Sequence, residues 1–326
     1  MTSARSTWRN RVEAAAVRLL GSTLVWVPPP WASALGAAFG LLLHSLGILV
    51  PLTRRNVATA FADTLSPDQQ RRVVRNCYVH YGRLLLEFFT MRRVMAGREP
   101  RYFELQGGPV LDAALTQGKG VVLVTAHFGN WELLGITLTG HGYPLHPYAG
   151  EQHNLLADQA INELRERAGL SVIRRKGGMR AMLKLLHARH IVGIIADQHE
   201  STRRHFVSYF GQPVSVVDGP FLLARRTGAP VVFAACIRTR GMRYRTIVEA
   251  LDLPPATDDE ELDLLRFTQA CFARLELHVR QHPEQYFWLH RRFRLIPHDV
   301  RLTDLNQEFL RQGGMPQEKM TPIPPP

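Results

Sequence analysis

From residue 103 onward the spacing of apolar residues changes, and short aliphatic runs begin to alternate with longer stretches at helical spacing. That alternation is the pattern of an α/β sheet with crossover helices. It predicts strands over 103–106, 121–126, 144–148, 171–174, 191–196, 206–209, 230–238 and 244–250. Helices are expected near 109–117, 131–139, 154–168, 178–189, 219–227 and 259–281. In such sheets ligands collect beyond the carboxyl ends of the strands, so ionisable side chains at those ends are candidates for a site.

The region before the sheet reads differently. Residues 53–93 form two helices broken at "TLSPDQQ", where Ser66 caps and Pro67 occupies the first turn. Upstream, "WASALGAAFGLLLHSLGILVPL", residues 31–52, holds no formal charge over about the 20 residues that a bilayer core requires. A membrane anchor is expected there; a buried core helix fits the same composition. Arg5, Arg9, Arg11 and Arg18 precede the segment and Arg54 and Arg55 follow it, so positive charge gives no orientation. It lies too far from the start for a cleaved signal peptide. Three regions are expected: a helical region over 1–95, an α/β domain over 96–300, and a tail over 301–326 whose Pro- and Gly-rich end, 313–326, is too poor in apolar residues to pack.

Forty Lys and Arg against 28 Asp and Glu give a net charge of +12, which favours an anionic partner. Nucleic acid is the weakest of the possibilities, because the chain carries no aromatic RNA-binding motif, zinc-finger spacing or recognition helix. Cys77, Cys236 and Cys271 are scattered and form no C-x-x-C pair, so neither a disulfide frame nor a zinc knuckle is implied. His187, His190, His205 and His290 show no ligand spacing, and no metal is expected.

The stretch "VVLVTAHFGNWELLG", residues 121–135, carries the chemistry. A buried strand delivers His127, Gly129 permits a tight turn, and Asn130 is a favoured N-cap. Glu132 then falls in the first helical turn, where the macrodipole stabilises a carboxylate. In that geometry Glu132 can reach back to one imidazole nitrogen, fix the tautomer and raise the basicity of the other, which suits a general base acting on an alcohol. The backbone amides at Gly129 and Asn130 stand where an oxyanion would need them. The arrangement lacks only a nucleophile, which a substrate hydroxyl would supply. A lone histidine with a helix-terminal glutamate fits the spacing equally.

The motif "HFGNWE" resembles the His-x-x-x-x-Asp/Glu signature of glycerolipid-type acyltransferases, and more narrowly the late lipid A biosynthesis acyltransferases, the lauroyl and myristoyl transferases. Three further stretches resemble that family in the same order: "GIIADQH" (193–199), "YFGQPVSVVDGPFLLARRTGAPVV" (209–232) and "PEQYFWLHRRFR" (283–294). The resemblance spans roughly residues 10–298. It implies a glycerolipid-acyltransferase-like fold, a mixed and mostly parallel sheet flanked by helices behind an N-terminal membrane anchor. It implies an enzyme at the cytoplasmic face of a bacterial inner membrane, moving a fatty acyl group from acyl carrier protein or coenzyme A to a hydroxyl of an anionic glycolipid, most simply lipid A precursor. His127 is then the base and Glu132 its partner, with no metal or redox cofactor. A phospholipid or other glycolipid acceptor is the alternative, and a metal-dependent hydrolase using His127, Glu132 and Asp197 is a more remote one. The chain departs from the family after Asp197-Gln198, where His199 and Glu200 stand in place of another acid.

Four arginines and an aspartate complete the candidate substrate contacts. Asp197 ends a β-rich run and shares a rim with His127 if the two strands are parallel neighbours, where it would orient a sugar hydroxyl or an arginine. Arg165 and Arg167 both precede Gly169, and an arginine before a glycine here is a family feature; sequence does not choose between them. Arg291 and Arg292 follow an aromatic run, and a planar guanidinium suits the phosphate of acceptor or donor. Arg174, Arg175 and Lys176 read as a general basic surface.

Overall fold

The computed structural model describes residues 2–97, 102–150, 154–175, 177–197, 205–293 and 302–312. Lys176, Gln198, His199, Glu200 and the tail from residue 313 lie outside the described residues.

Four helices come first: α1 (Thr2–Leu24), α2 (Pro29–Ser45), α3 (Val50–Phe61) and α4 (Pro67–Gly97). The uncharged segment 31–52, expected as one anchor, is two pieces. Gly47 and Leu49 adopt positive φ (73° and 59°), Pro51 lies in the first turn of α3, and the chain bends by 94° between α2 and α3. A glycine free to turn left-handed and a proline without an N–H together prevent one helix from running through. Among the described residues no single helix is long and apolar enough to cross a membrane, although α2 and α3 together pass by length and composition.

Small residues set how α2 sits. Ala32, Ser33, Gly36 and Gly40 form its buried face. A Cβ on Gly36 would collide with the carbonyl of Gly82 in α4, and one on Gly40 with the carbonyl of Tyr78, so the two backbones touch. The opposite face of α2 and the bend beyond it leave Trp31, Leu35, Phe39, Leu42, Leu46 and Leu49 exposed.

The α/β part follows as β1 (Phe103–Gln106), α5 (Gly108–Thr116), β2 (Val121–Thr125), α6 (Trp131–Gly140), β3 (Leu145–Ala149), α7 (Leu155–Arg167), β4 (Ile173–Arg174), α8 (Gly178–His187) and β5 (Ile191–Ile195). It continues through β6 (Phe206–Tyr209), β7 (Gln212–Ser215), α9 (Gly219–Thr227), β8 (Val231–Arg240), β9 (Arg243–Ala250) and α10 (Glu260–Gln281) to a 3-10 turn, Pro283–Gln285, and α11 (Asp304–Arg311). Seven strands form one sheet in the order β1-β9-β8-β2-β5-β3-β4. All neighbours are parallel except β8 and β9. The sheet is α/β and mostly parallel, as the alternation implies.

Alternate residues of β2 face opposite layers. Val121 and Leu123 pack with Leu111 of α5 and Leu133 and Ile136 of α6. Val122 and Val124 pack with Met182 and Leu186 of α8, Phe221 of α9 and Leu265 of α10. A strand buried on both faces reads as a continuous apolar run, which is why residues 121–124 show no alternation. The one strand that sequence did not suggest is β7. It pairs with β6 across Phe210 and Gly211, both at positive φ (50° and 68°), in a separate two-stranded sheet. Pro213 within it argues against a strand and is tolerated at this edge.

Because α2 and α4 meet backbone to backbone, Gly40→Val is expected to force them apart and to lower stability by about 1–3 kcal/mol, the range for overpacked contacts. Thermal unfolding of the variant beside Gly150→Ala, whose Cβ would meet nothing within 4 Å, measures this.

Candidate active site

The turn between β2 and α6 is held at every point by its neighbours. Gly129 has φ 62°, and a Cβ there would collide with the carbonyl of Cys236 in β8. The Gly129 amide donates to the Gln285 carbonyl at 2.9 Å, and the Asn130 amide to the Cys236 carbonyl at 2.7 Å. The His127 carbonyl accepts from the Phe287 amide at 3.0 Å and from the Tyr81 hydroxyl at 2.9 Å. His80 Nε2 donates to the Gly129 carbonyl at 3.0 Å. Burial, then the nearby Arg238 charge, pushes the His80 imidazole down to about 3, so it is neutral and its Nδ1 is an acceptor. The amides of Gly129 and Asn130, expected as oxyanion donors, are therefore already engaged, because the turn is stitched to β8 and to the segment after α10.

Asn130 caps α6 as its residue type predicts, with its side-chain oxygen accepting from the Leu133 amide at 3.1 Å. Its amide nitrogen donates to Glu87 of α4 at 3.3 Å. Glu87 is 1% exposed and takes two 2.8 Å hydrogen bonds from the Arg238 guanidinium, with the Tyr244 hydroxyl as a further donor. Burial raises the Glu87 carboxyl, but Arg238 and Tyr244 outweigh it and hold the group below the ordinary glutamate value of 4.5.

His127 finds a partner other than the expected one. Its Nδ1 lies 2.8 Å from Asp197 Oδ1, with the imidazole side chain 15% exposed and the carboxylate 4%. The parallel register explains the meeting: β2 and β5 pair from Val121 with Ile191 through Thr125 with Ile195. The Ala196 amide donates to the Thr125 carbonyl at 2.9 Å, which carries the ladder one step further. The next pair along is His127 and Asp197. Burial raises the Asp197 carboxyl, yet His127 and then Arg292 hold it below its usual range, so it is a carboxylate and only accepts. Nδ1 of His127 is therefore the donor in this contact. Trp131 meets the ring edge-on at 4.8 Å and Phe287 lies at 6.0 Å.

Glu132, expected to orient His127, turns to α7. Arg165 donates to its two oxygens, from Nε at 3.0 Å and from Nη2 at 2.6 Å, and the Trp131 indole donates to it at 3.2 Å. The physical reason is twofold. Nδ1 of His127 is taken by Asp197, and a planar guanidinium matches both carboxylate oxygens at once. Arg165 Nη1 donates to Asn162, whose amide donates to Asp158 at 3.0 Å. Arg165 is thus the arginine that faces the site. Arg167 lines an apolar cavity between α1, α4 and α7 with Gly21, Val25, Phe88 and Leu164.

The remaining candidates separate. Arg291 is exposed, whereas Arg292 is 2% exposed, stacked on Phe272 at 4.9 Å with its guanidinium 3.3 Å from the Ser215 carbonyl. Arg292 is enclosed, so its charge acts on Asp197 and not on a phosphate at the surface, against the expectation for this pair. Among the described residues no three His, Cys, Asp or Glu side chains converge as a metal group, and both oxygens of Glu132 are taken by Arg165.

Glu87→Gln leaves the Arg238 charge buried without its counter-ion and is expected to destabilise the fold by about 3–5 kcal/mol at neutral pH. The depressed Glu87 carboxyl contributes stability that is complete above pH 4.5 and is lost as pH falls through its lower folded value. The gap between wild type and Glu87→Gln, followed by denaturant unfolding from pH 7 downward, is therefore expected to narrow below that pH.

Comparison with known proteins supports one family. The model of the bacterial lipid A biosynthesis acyltransferases matches residues 8–295. The chain is similar to the lipid A biosynthesis lauroyltransferase of Escherichia coli, with 28% identity over 86% of this chain and 92% of that enzyme. It is similar to the palmitoleoyltransferase of the same organism, at 24% over 85% and 90%. The phosphatidylinositol mannoside acyltransferase of Mycobacterium tuberculosis shares 28% identity over 64% of this chain and 66% of that enzyme. With the family model spanning the helical region and the sheet together, the chain belongs to the bacterial lipid A biosynthesis acyltransferases.

Proposed function

We propose that this protein transfers a fatty acyl group from an acyl thioester to a hydroxyl of an envelope glycolipid, with His127 as general base and Asp197 as the residue that orients it. The observation that carries this reading is the 2.8 Å contact from His127 Nδ1 to a carboxylate that is itself 4% exposed. A buried carboxylate on one nitrogen fixes the tautomer and stabilises the imidazolium that forms when the other nitrogen takes a proton.

The reaction balances with these groups alone. Nε2 of His127 takes the proton of the acceptor hydroxyl as its oxygen attacks the thioester carbonyl. The tetrahedral intermediate collapses, the carbon–sulfur bond breaks, and the departing thiolate takes the proton back from the imidazolium. One ester replaces one thioester. Glu132 and Arg165 hold the start of α6 to α7 and keep the rim of the site rigid, which positions the attack rather than performing it.

The lipid A acceptor is favoured because the lauroyltransferase match covers nearly the whole of both chains. A phosphatidylinositol mannoside-like acceptor is the second reading, on equal identity over a shorter span. The donor is an acyl carrier protein or coenzyme A thioester, both of which suit a chain of net charge +12. The exposed stripe from Trp31 to Leu49 fits embedding in the inner membrane with the site at the cytoplasmic face.

The test is labelled acyl transfer in membranes from acyl carrier protein and from coenzyme A to lipid A precursor. His127→Ala is expected to lower kcat by about 10²–10⁴, the usual worth of a general base, and Asp197→Asn by about tenfold or more. Full transfer by His127→Ala would remove the base from the mechanism.

A further inference from the structure

A polar cavity opens on the same rim of the sheet. Beyond the ends of β3 and β4, Ala149, Arg174 and Arg175 face Asp158, Gln159 and Asn162 of α7 across a volume of about 410 Å³. Ala149 and Arg174 are paired at the carboxyl ends of their strands, so the cavity opens on the side where His127 and Asp197 stand. The strand order β2-β5-β3-β4 puts it up to three strand spacings from His127, on the order of 14 Å. None of the residues in the two catalytic-rim ion pairs lines it.

Its wall is nevertheless joined to that rim. Asn162 accepts from Arg165 and donates to Asp158, and Arg165 grips Glu132, so one hydrogen-bonded chain runs from the cavity to the start of α6. Among the described residues Arg174 makes only a solvent-exposed pair with Glu166 at 3.3 Å, and the Arg175 side chain makes no hydrogen bond or ion pair. Two cations with little to hold them therefore face a carboxylate and two amides. Guanidinium groups suit phosphate oxygens, while Asp, Asn and Gln suit sugar hydroxyls. The combination is the chemistry of a sugar phosphate.

We propose that this cavity is a phosphate subsite, in which Arg174 and Arg175 hold the phosphate of a substrate whose reacting group lies at His127. Asp158, Gln159 and Asn162 take the hydroxyls beside that phosphate. The proposal rests on the acyl-transfer reading above. The phosphate belongs to the glycolipid acceptor or to the pantetheine arm of the thioester donor. The sugar-binding character of the wall favours the acceptor.

The double variant Arg174→Ala/Arg175→Ala tests this, since both side chains are exposed and their loss leaves the core intact. With a phosphorylated glycolipid acceptor its KM is expected to rise about tenfold or more with kcat little changed, as for lost binding that does not distinguish ground from transition state. The same variant should match wild type on the dephosphorylated acceptor. A rise confined to the donor KM would support the phosphate subsite and assign it to the pantetheine arm; no change in either KM would overturn it. Binding of glucosamine 1-phosphate at millimolar concentration, followed by ³¹P line broadening, needs no turnover. It should survive in His127→Ala and vanish in the double variant, so a failed acyl-transfer reading and a failed subsite give different results. Equal broadening in all forms, or none in wild type, would contradict the subsite.

Discussion

The parallel pairing of β2 with β5 is the interaction on which the site depends. Its register is constant from Val121 with Ile191 to Thr125 with Ile195, and continuing it by two residues sets His127 beside Asp197. Parallel strands buried on both faces cannot slip without moving every core side chain to the wrong layer. The spacing between imidazole and carboxylate is therefore fixed by the same contacts that stabilise the sheet, and needs no adjustment by a mobile loop.

The turn after β2 is secured from three further directions. Cys236 in β8, Gln285 and Phe287 after α10, and His80 and Tyr81 in α4 satisfy its backbone groups, while the buried Glu87–Arg238 pair anchors Asn130 from beneath. The two carboxylates of the rim consequently divide. Asp197 pairs with His127, and Glu132 pairs with the Arg165 guanidinium. Two anions directed at one imidazole would compete for a single Nδ1 proton; with a separate arginine, each carboxylate has a cation or donor of its own.

Much of this was legible in the chain. Strand and helix positions followed from apolar runs broken by turn residues, because a doubly wound sheet imposes those breaks. The Asn130 cap and the Gly129 turn were readable from residue type. What sequence reading placed wrongly was the partner of His127: helical geometry brings Glu132 near, but only strand pairing brings Asp197 nearer, and pairing is not local. A signal did exist. "VVLVTAH", residues 121–127, and "IVGIIAD", residues 191–197, are seven-residue apolar runs that each end in alanine and an ionisable group, as two parallel neighbours reaching one rim would. The burial of Arg292 beside an exposed Arg291, the engagement of the turn amides and the bend at Gly47–Leu49 depend on tertiary contacts that residue order does not display.

If His127 acts as the proposed base, Asp197 orients it across the strand pair, and the proton on His127 Nδ1 reports that contact directly. In protein labelled with ¹⁵N-histidine, a strongly hydrogen-bonded Nδ1–H should resonate far downfield. This signal is expected to persist in Glu132→Gln and to be lost in Asp197→Ala. Its loss in Glu132→Gln with retention in Asp197→Ala would contradict orientation by the strand pair and restore the helix-borne glutamate as the partner of His127.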